Sequence, residues 1–192
     1  IKGAQLVGAN MRSTILTGVS LEEIRDSEVD ISDSITDENV GKSIEELDQP
    51  LARLIRDHRS WVASVGKEGT QLDLSGYDLR VLLSLASEKL TALKAVEARW
   101  CGMDLTEIQL QSAVLDKSDF RSCFLRGADF RASSMIGARY SHADMRFVNF
   151  SPLYFVKGGE KMANISKLEN ANLRYANCAG GKCIQADLRN AD

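Results

Sequence analysis

"SDFRSCFLRGADFRASSMIGARYSHADMRFVNF", residues 118–150, carries a large apolar side chain at every fifth position: Phe120, Leu125, Phe130, Met135, Tyr140, Met145 and Phe150. Helices repeat near 3.6 residues and flat strands at 2, so neither produces this beat. A smaller residue precedes most of the large ones by two places, as in Ser118/Phe120, Cys123/Leu125, Ala128/Phe130, Ala138/Tyr140, Ala143/Met145 and Val148/Phe150. Residues i−2 and i share one face of an extended segment because side chains alternate. The two residues between successive pairs must then turn the chain by roughly a right angle. Four such turns close a square coil of about twenty residues with both members of each pair pointing to its axis.

Stacked residues in such a coil should match in kind at a spacing of twenty. Trp100, Phe120 and Tyr140 form one column, Leu110, Phe130 and Phe150 a second, Leu105, Leu125 and Met145 a third, and Leu115, Met135 and Phe155 a fourth. The i−2 columns stay small, as at Ala98, Ser118 and Ala138. The pattern is therefore a solenoid, in which each coil buries its apolar face against its neighbours. Spacing alone allows either hand.

The strings "GADFR", "HADMR", "NANLR" and "QADLR" resemble the A-[DN]-[LF]-x-x motif of the pentapeptide-repeat family, and the resemblance covers roughly 140 of the 192 residues. It implies an all-β fold, a right-handed quadrilateral parallel β-helix. It is specific for fold and poor for function, because the motif residues are structural. Some members of the family resemble duplex DNA in shape and charge and bind type II topoisomerases such as gyrase.

The phase of the beat sets the expected organisation. An N-terminal array runs through Ile1, Leu6, Met11, Leu16 and Leu21, fails at Asp26 and returns at Ile31, giving a first region of 1–35. "LDLSGYDLR" restarts the beat at Leu74 and Leu79; after one extra residue it runs in phase from Leu85 to Phe155. "VKGGEKM" then inserts three residues, read as a Gly-centred loop at 156–162, before Leu168, Leu173, Cys178, Cys183 and Leu188. Residues 72–192 are thus expected to form the main β-helix. "LASEKLTALKAVEARW" also suits a helix by composition, but Leu85, Leu90, Ala95 and Trp100 keep the phase and favour coil.

Residues 36–71 read as an acidic lead-in and an amphipathic helix at about 49–65, with Leu47, Leu51, Leu54, Ile55, His58, Trp61, Val62 and Val65 recurring at three and four. Ser43 with Glu46 resembles a capping box, but a helix begun there would hold Pro50 in its interior, so Asp48 is the expected N-cap. The helix is expected to cap the coil containing Leu74, Leu79 and Leu85, covering its strand edges; the alternative is that it packs along one side.

A chain of 192 residues with 44% hydrophobic and 27% charged composition is a folded, soluble protein. No apolar run approaches the roughly 20 residues of a membrane span. The repeat already runs at Ile1, with no initiator Met, and still runs at Asp192, so a fragment of a longer bacterial protein is expected. The net charge of −3 is uneven, since Glu22–Asp48 holds eleven acids against Arg25 and Lys42. That stretch is −9 and the remainder +6, an acidic block that reads as a solvated face or loop.

Nothing in the sequence assembles an active site. His58 falls on the helix's apolar side and His142 on an outer turn remote from other chemically suggestive residues, and with one His in each region neither a nucleophile–His pair nor a His-based metal site is expected. Cys123 fits a small inward position, and Cys178 and Cys183, in "CAGGKC", occupy large inward ones; buried thiols explain these better than metal or redox spacing. Only Cys101, one residue after Trp100, is expected to be exposed. No disulfide framework is indicated, which points to a reducing, cytoplasmic setting. The pairs Asp119/Arg121, Asp129/Arg131, Asp144/Arg146 and Asp187/Arg189 each flank an inward residue and are expected on the outside, with their arginines on successive sides rather than in the basic stripe a duplex requires.

The expected function is a non-catalytic scaffold or protein–protein interaction module with an unidentified protein partner. No catalytic, cofactor or metal residues, small-molecule substrate or membrane contact are expected, and self-association through the solenoid ends is compatible with the pattern. The alternative is a DNA mimic bound to gyrase, which needs a continuous negative surface.

Overall fold

In the repeat around Phe120 all five backbone N–H groups find acceptors, which is why five residues form a unit. Asp119 N–H donates back to the carbonyl of Ala98 at 2.9 Å, while Phe120 and Ser122 donate forward to Arg139 and Ser141 at 2.7 and 3.0 Å. Cys123 N–H closes the turn on the Phe120 carbonyl at 3.2 Å. The remaining N–H, that of Arg121, donates to Oδ1 of Asp119 at 3.3 Å. The same side-chain acceptor recurs at Asp104, Asp129, Asp144, Asn172, Asn177 and Asp187. Asp or Asn before the large residue therefore satisfies a donor that neither turn nor ladder reaches.

These bonds come from a computed structural model that describes residues 4–25 and 28–192. It comprises two compact units, Ile1–Gly41 and Lys42–Asp192. In the second, parallel bridges run in four ladders, one for each side of the coil. One joins Asp73, Lys94, Val114, Ser134, Lys167 and Asp187, so the stack is six coils deep on that side. A second joins Asp78, Arg99, Asp119, Arg139 and Asn172; a third Ser84, Asp104, Phe124, Asp144 and Asn177; a fourth Lys89, Gln109, Asp129, Asn149 and Lys182. Each side contributes a single bridging residue, so little extended strand accompanies a continuous hydrogen-bonded stack.

The corners impose a backbone demand on the sequence. From Ser87 to Phe147 the second residue after each inward position is left-handed, with φ between 57° and 74°. Only Gly102, Gly127 and Gly137 among these lack the Cβ that makes this region costly, by about 1 kcal/mol or more elsewhere. The turn and ladder bonds hold the others there.

Inside, the columns stack as aromatic piles. Phe120 lies parallel to Trp100 and Tyr140, with ring centroids 5.4 and 5.1 Å apart, and Phe130 stacks on Phe150 at 5.5 Å. Phe130 also meets Phe120 edge-on at 6.1 Å. Small polar i−2 residues are satisfied within the core, as where Ser118 Oγ donates to the Ala95 carbonyl at 2.5 Å.

The fourth column departs from the spacing of twenty. Ser134 pairs with Lys167, 33 residues on, so thirteen residues are looped out. They form no simple loop: two antiparallel strands join at Gly158–Gly159. Phe155 is on this hairpin, 38% exposed, and the place above Met135 belongs to buried Leu168. The slip of three that the sequence phase shows is thirteen counted modulo five. The extra residue after Leu79 is taken up by a 3₁₀ turn, Arg80–Leu82.

In the first unit, Asn10 pairs with Asp30 and Ile15 with Ile35, again twenty apart. A helical turn, α1 (Glu22–Arg25), interrupts the coil and buries Ile24 off the beat. Residues 29–36 of the acidic stretch are therefore coil rather than loop. The expectations at Ile1 and Asp26 lie outside the described residues.

The second unit begins with β1 (Lys42–Ser43), which pairs in parallel with β2 (Tyr77–Asp78) and adds one rung to the second ladder. The Ser43/Glu46 capping box is present, but it caps a separate 3₁₀ turn, Ile44–Glu46. Helix α2 (Leu51–Ala63) follows, with Pro50 rather than Asp48 at its N-cap. Pro50 suits the start of the helix, having no N–H to leave unpaired. Leu51, Leu54 and Ile55 pack against the cluster containing Leu74 and Leu79. The two strands of the hairpin complete the order: β3 (Leu153–Lys157) and β4 (Glu160–Asn164).

Candidate interaction surfaces

The outward charges form built pairs rather than a diffuse coat. Arg121, Arg131, Arg146 and Arg189 each grip the aspartate two residues before them through Nε and Nη2. The aspartate thus serves the backbone and the guanidinium together. One pair contradicts the expectation of exposure. The Asp119 and Arg121 side chains are only 0% and 8% exposed, at 2.6 Å. Burial pushes the Asp119 carboxyl upward, but the bonds and charge of Arg121 outweigh it and hold the carboxyl below its usual range. Its rung neighbours on the ladder are Arg99 and Arg139.

The arginines of these four pairs lie on four different sides, as expected, but the ladders gather another set together. Arg80, Arg99, Arg121, Arg139 and Arg174 share one side of the stack with Asp78, Asp119 and Asp192. Stacking at intervals of 21, 20 and 33 residues brings them together, and the five-residue phase alone does not show it. Arg80 and Arg174 pair with Asp78 and Asp192.

Three of the four thiols reverse the sequence reading. Cys101 is buried beside Asp119, and burial pushes its thiol up to about 12, while Cys178 and Cys183 are exposed in the last coil. Cys123 is buried as expected, and its Sγ lies 3.0 Å from the Trp100 carbonyl. No group of three His, Cys, Asp or Glu among the described residues is placed to hold a metal ion.

His58 is buried on α2, where Nδ1 accepts the Leu72 N–H at 3.0 Å and the ring stacks on Trp61. Burial lowers its pKa below 6.5, against the smaller opposing pull of the Thr91 carbonyl. The unfolded chain therefore takes up the proton first. Stability contributed by neutral His58 is complete above about pH 6.5 and declines as pH falls toward the lower folded value. The melting temperature should drop on acidification through this window, and less steeply in His58→Asn, which keeps an acceptor for Leu72. Equal slopes would remove His58 as the titrating group.

His142 is an exposed corner residue stacked on Tyr175 at 4.9 Å. A second corner is more unusual. Phe147 is left-handed at φ 60° and 56% exposed, with the Arg126 guanidinium 5.5 Å from its ring centroid. A Cβ on Gly180 would come within 2.6 Å of Phe147 Cδ1, so glycine there leaves the slot in which the ring lies. Phe124, also outward on the adjoining side, is 55% exposed. The backbone of Phe147 is that of the other corners, but a large ring left more than half exposed there adds nothing to the core.

The pentapeptide-repeat family model matches eight copies, at residues 123–151 and 166–192, and those segments are pentapeptide repeats. No curated protein matches the sequence. Among solved structures, a pentapeptide repeat protein from the Arabidopsis thaliana thylakoid lumen is 21% identical over 62% of this chain and 60% of its own, with a TM-score of 0.42. This chain therefore spans less than two thirds of that protein's length. QnrB1, a plasmid-mediated fluoroquinolone resistance protein, is 19% identical over 64% and 74%, with a TM-score of 0.23. Rfr23, a pentapeptide repeat protein from the cyanobacterium Cyanothece 51142, is 17% identical over 53% and 64%, at 0.19. No helix among the described residues is long and apolar enough to cross a membrane.

Proposed function

We propose that this stack of pentapeptide repeats is a non-catalytic scaffold that binds a protein partner, built as a right-handed quadrilateral β-helix with α2 as an amphipathic cap. The carrying observation is the exposed Phe124 and Phe147 on the hydrogen-bonded stack, with Gly180 leaving room for the second ring. Aromatic and arginine side chains presented by a fixed backbone lose little freedom on binding and are the usual anchors of interfaces. The four free cysteines fit a cytoplasmic setting. A photo-crosslinker at residue 147 should capture a discrete partner from cells, and Phe124→Asp should abolish capture without lowering the melting temperature. Capture that survives Phe124→Asp would remove the surface from the reading.

Mimicry of DNA requires a continuous negative surface in place of phosphates. The side on which five arginines stand against three aspartates would instead bring net positive charge to a topoisomerase's own basic residues, at a cost in affinity. No inhibition of gyrase supercoiling is expected at micromolar protein. Potent inhibition, lost when acids in Glu22–Asp48 are neutralised, would replace the scaffold reading with mimicry.

A further inference from the structure

The hairpin β3–β4 buries almost nothing of itself. Tyr154, Phe155, Val156 and Met162 are 53%, 38%, 72% and 44% exposed, whereas the large inward residues from Leu90 to Phe150 are near zero. Strand alternation puts Tyr154 and Val156 on one face and Phe155 and Met162 on the other. Two strands alone are marginal in water, and an apolar edge is a template for another strand.

The turn fixes which backbone groups are free. Gly158 and Gly159 both have positive φ, 61° and 86°, the requirement of a two-residue type I′ turn between Lys157 and Glu160. Residues flanking such a turn exchange both hydrogen bonds, and bonded pairs alternate along the ladder. Phe155 therefore bonds Met162, while the N–H and C=O groups of Tyr154 and Val156 point away from β4. Neither residue makes another backbone bond among the described residues.

We propose that β3 is a self-association strand, pairing antiparallel with β3 of a second copy about a twofold axis at Phe155. Tyr154 of each copy then exchanges both bonds with Val156 of the other, and the two Phe155 residues face each other in a non-bonded pair. The register is self-complementary. Aromatic meets β-branched on one face and aromatic meets aromatic on the other, both favourable cross-strand pairs, and Lys157 lies opposite Leu153 with no like charges opposed. The β4 edge is the poorer candidate, because its end lines a groove of about 320 Å³ against Ser112, Val114 and Ser134 of the stack. The product is a four-stranded sheet with an isologous interface.

The test uses the whole chain carrying Cys178→Ser and Cys183→Ser. Light scattering should show a concentration-dependent dimer. Phe155→Cys with copper-phenanthroline should give a disulfide-linked dimer, because the central residues of a non-bonded pair bring their Cβ atoms within about 5 Å. Val156→Cys, opposite Tyr154, should cross-link far less. Tyr154→Lys with Val156→Lys should raise the dissociation constant at least about tenfold at an unchanged melting temperature. A monomer at every concentration, or a dimer indifferent to the two lysines, would overturn the proposal; the latter would move association to the stack's ends.

Discussion

Phe130→Asp unfolds the stack in the expected experiment, while Arg131→Ala, one residue on, leaves it intact. Phe130 is fully buried, stacked on Phe150 and edge-on to Phe120 and Tyr140. An aspartate there places a carboxylate among rings with no cation or N–H to meet it, since the ladder already uses the nearby backbone donors. Such a group costs several kcal/mol, and the lost ring adds a cavity, so the loss should exceed about 5 kcal/mol. The Arg131 side chain is 36% exposed and paired with Asp129, so its removal should change stability by less than about 0.5 kcal/mol. Denaturant melts with equal losses for both would show that the inward assignment is wrong.

The second large effect concerns the buried pair. Asp119→Ala removes the acceptor for the Arg121 N–H and strands a guanidinium 8% exposed without its carboxylate. Breaking a buried pair from one side costs about 3–5 kcal/mol. Asp129→Ala makes the same deletion where the partner reaches water, and should cost about 1 kcal/mol, mostly through the lost backbone acceptor. A third variant, Asp119→Asn, keeps the backbone acceptor and removes the charge, and should fall between them. If Asp119→Ala were no worse than Asp129→Ala, the second ladder's side would be open to solvent.

The columns through Phe120, Leu125 and Phe130 were legible from residues 118–150 because the rule that makes them is local. A pair at i−2 and i, a donor-capping Asp or Asn and a two-residue turn involve only five consecutive residues, and the chain repeats that solution. Helix α2 was legible for the same reason, its apolar period being contained in thirteen residues. The candidate surface was much less so. Phe124 and Phe147 are each an unremarkable outward residue until the ladder sets Gly180 beside the second.

By itself, then, the sequence determined the coil, its four sides and which residues face the axis, since each follows from chemistry within one repeat. Tertiary structure alone decided how the coils stand on one another. A phase read in fives cannot distinguish an insertion of three from one of thirteen, so Phe155 looked inward until Leu168 was seen in its place. Burial of an outward residue depends on the rungs above and below it, which lie twenty or more residues away. That is why Asp119, Arg121 and Cys101 are buried and why five arginines share one side. Sequence distance carries the rule for a single turn, while the ladder's hydrogen bonds carry the arrangement of the surface.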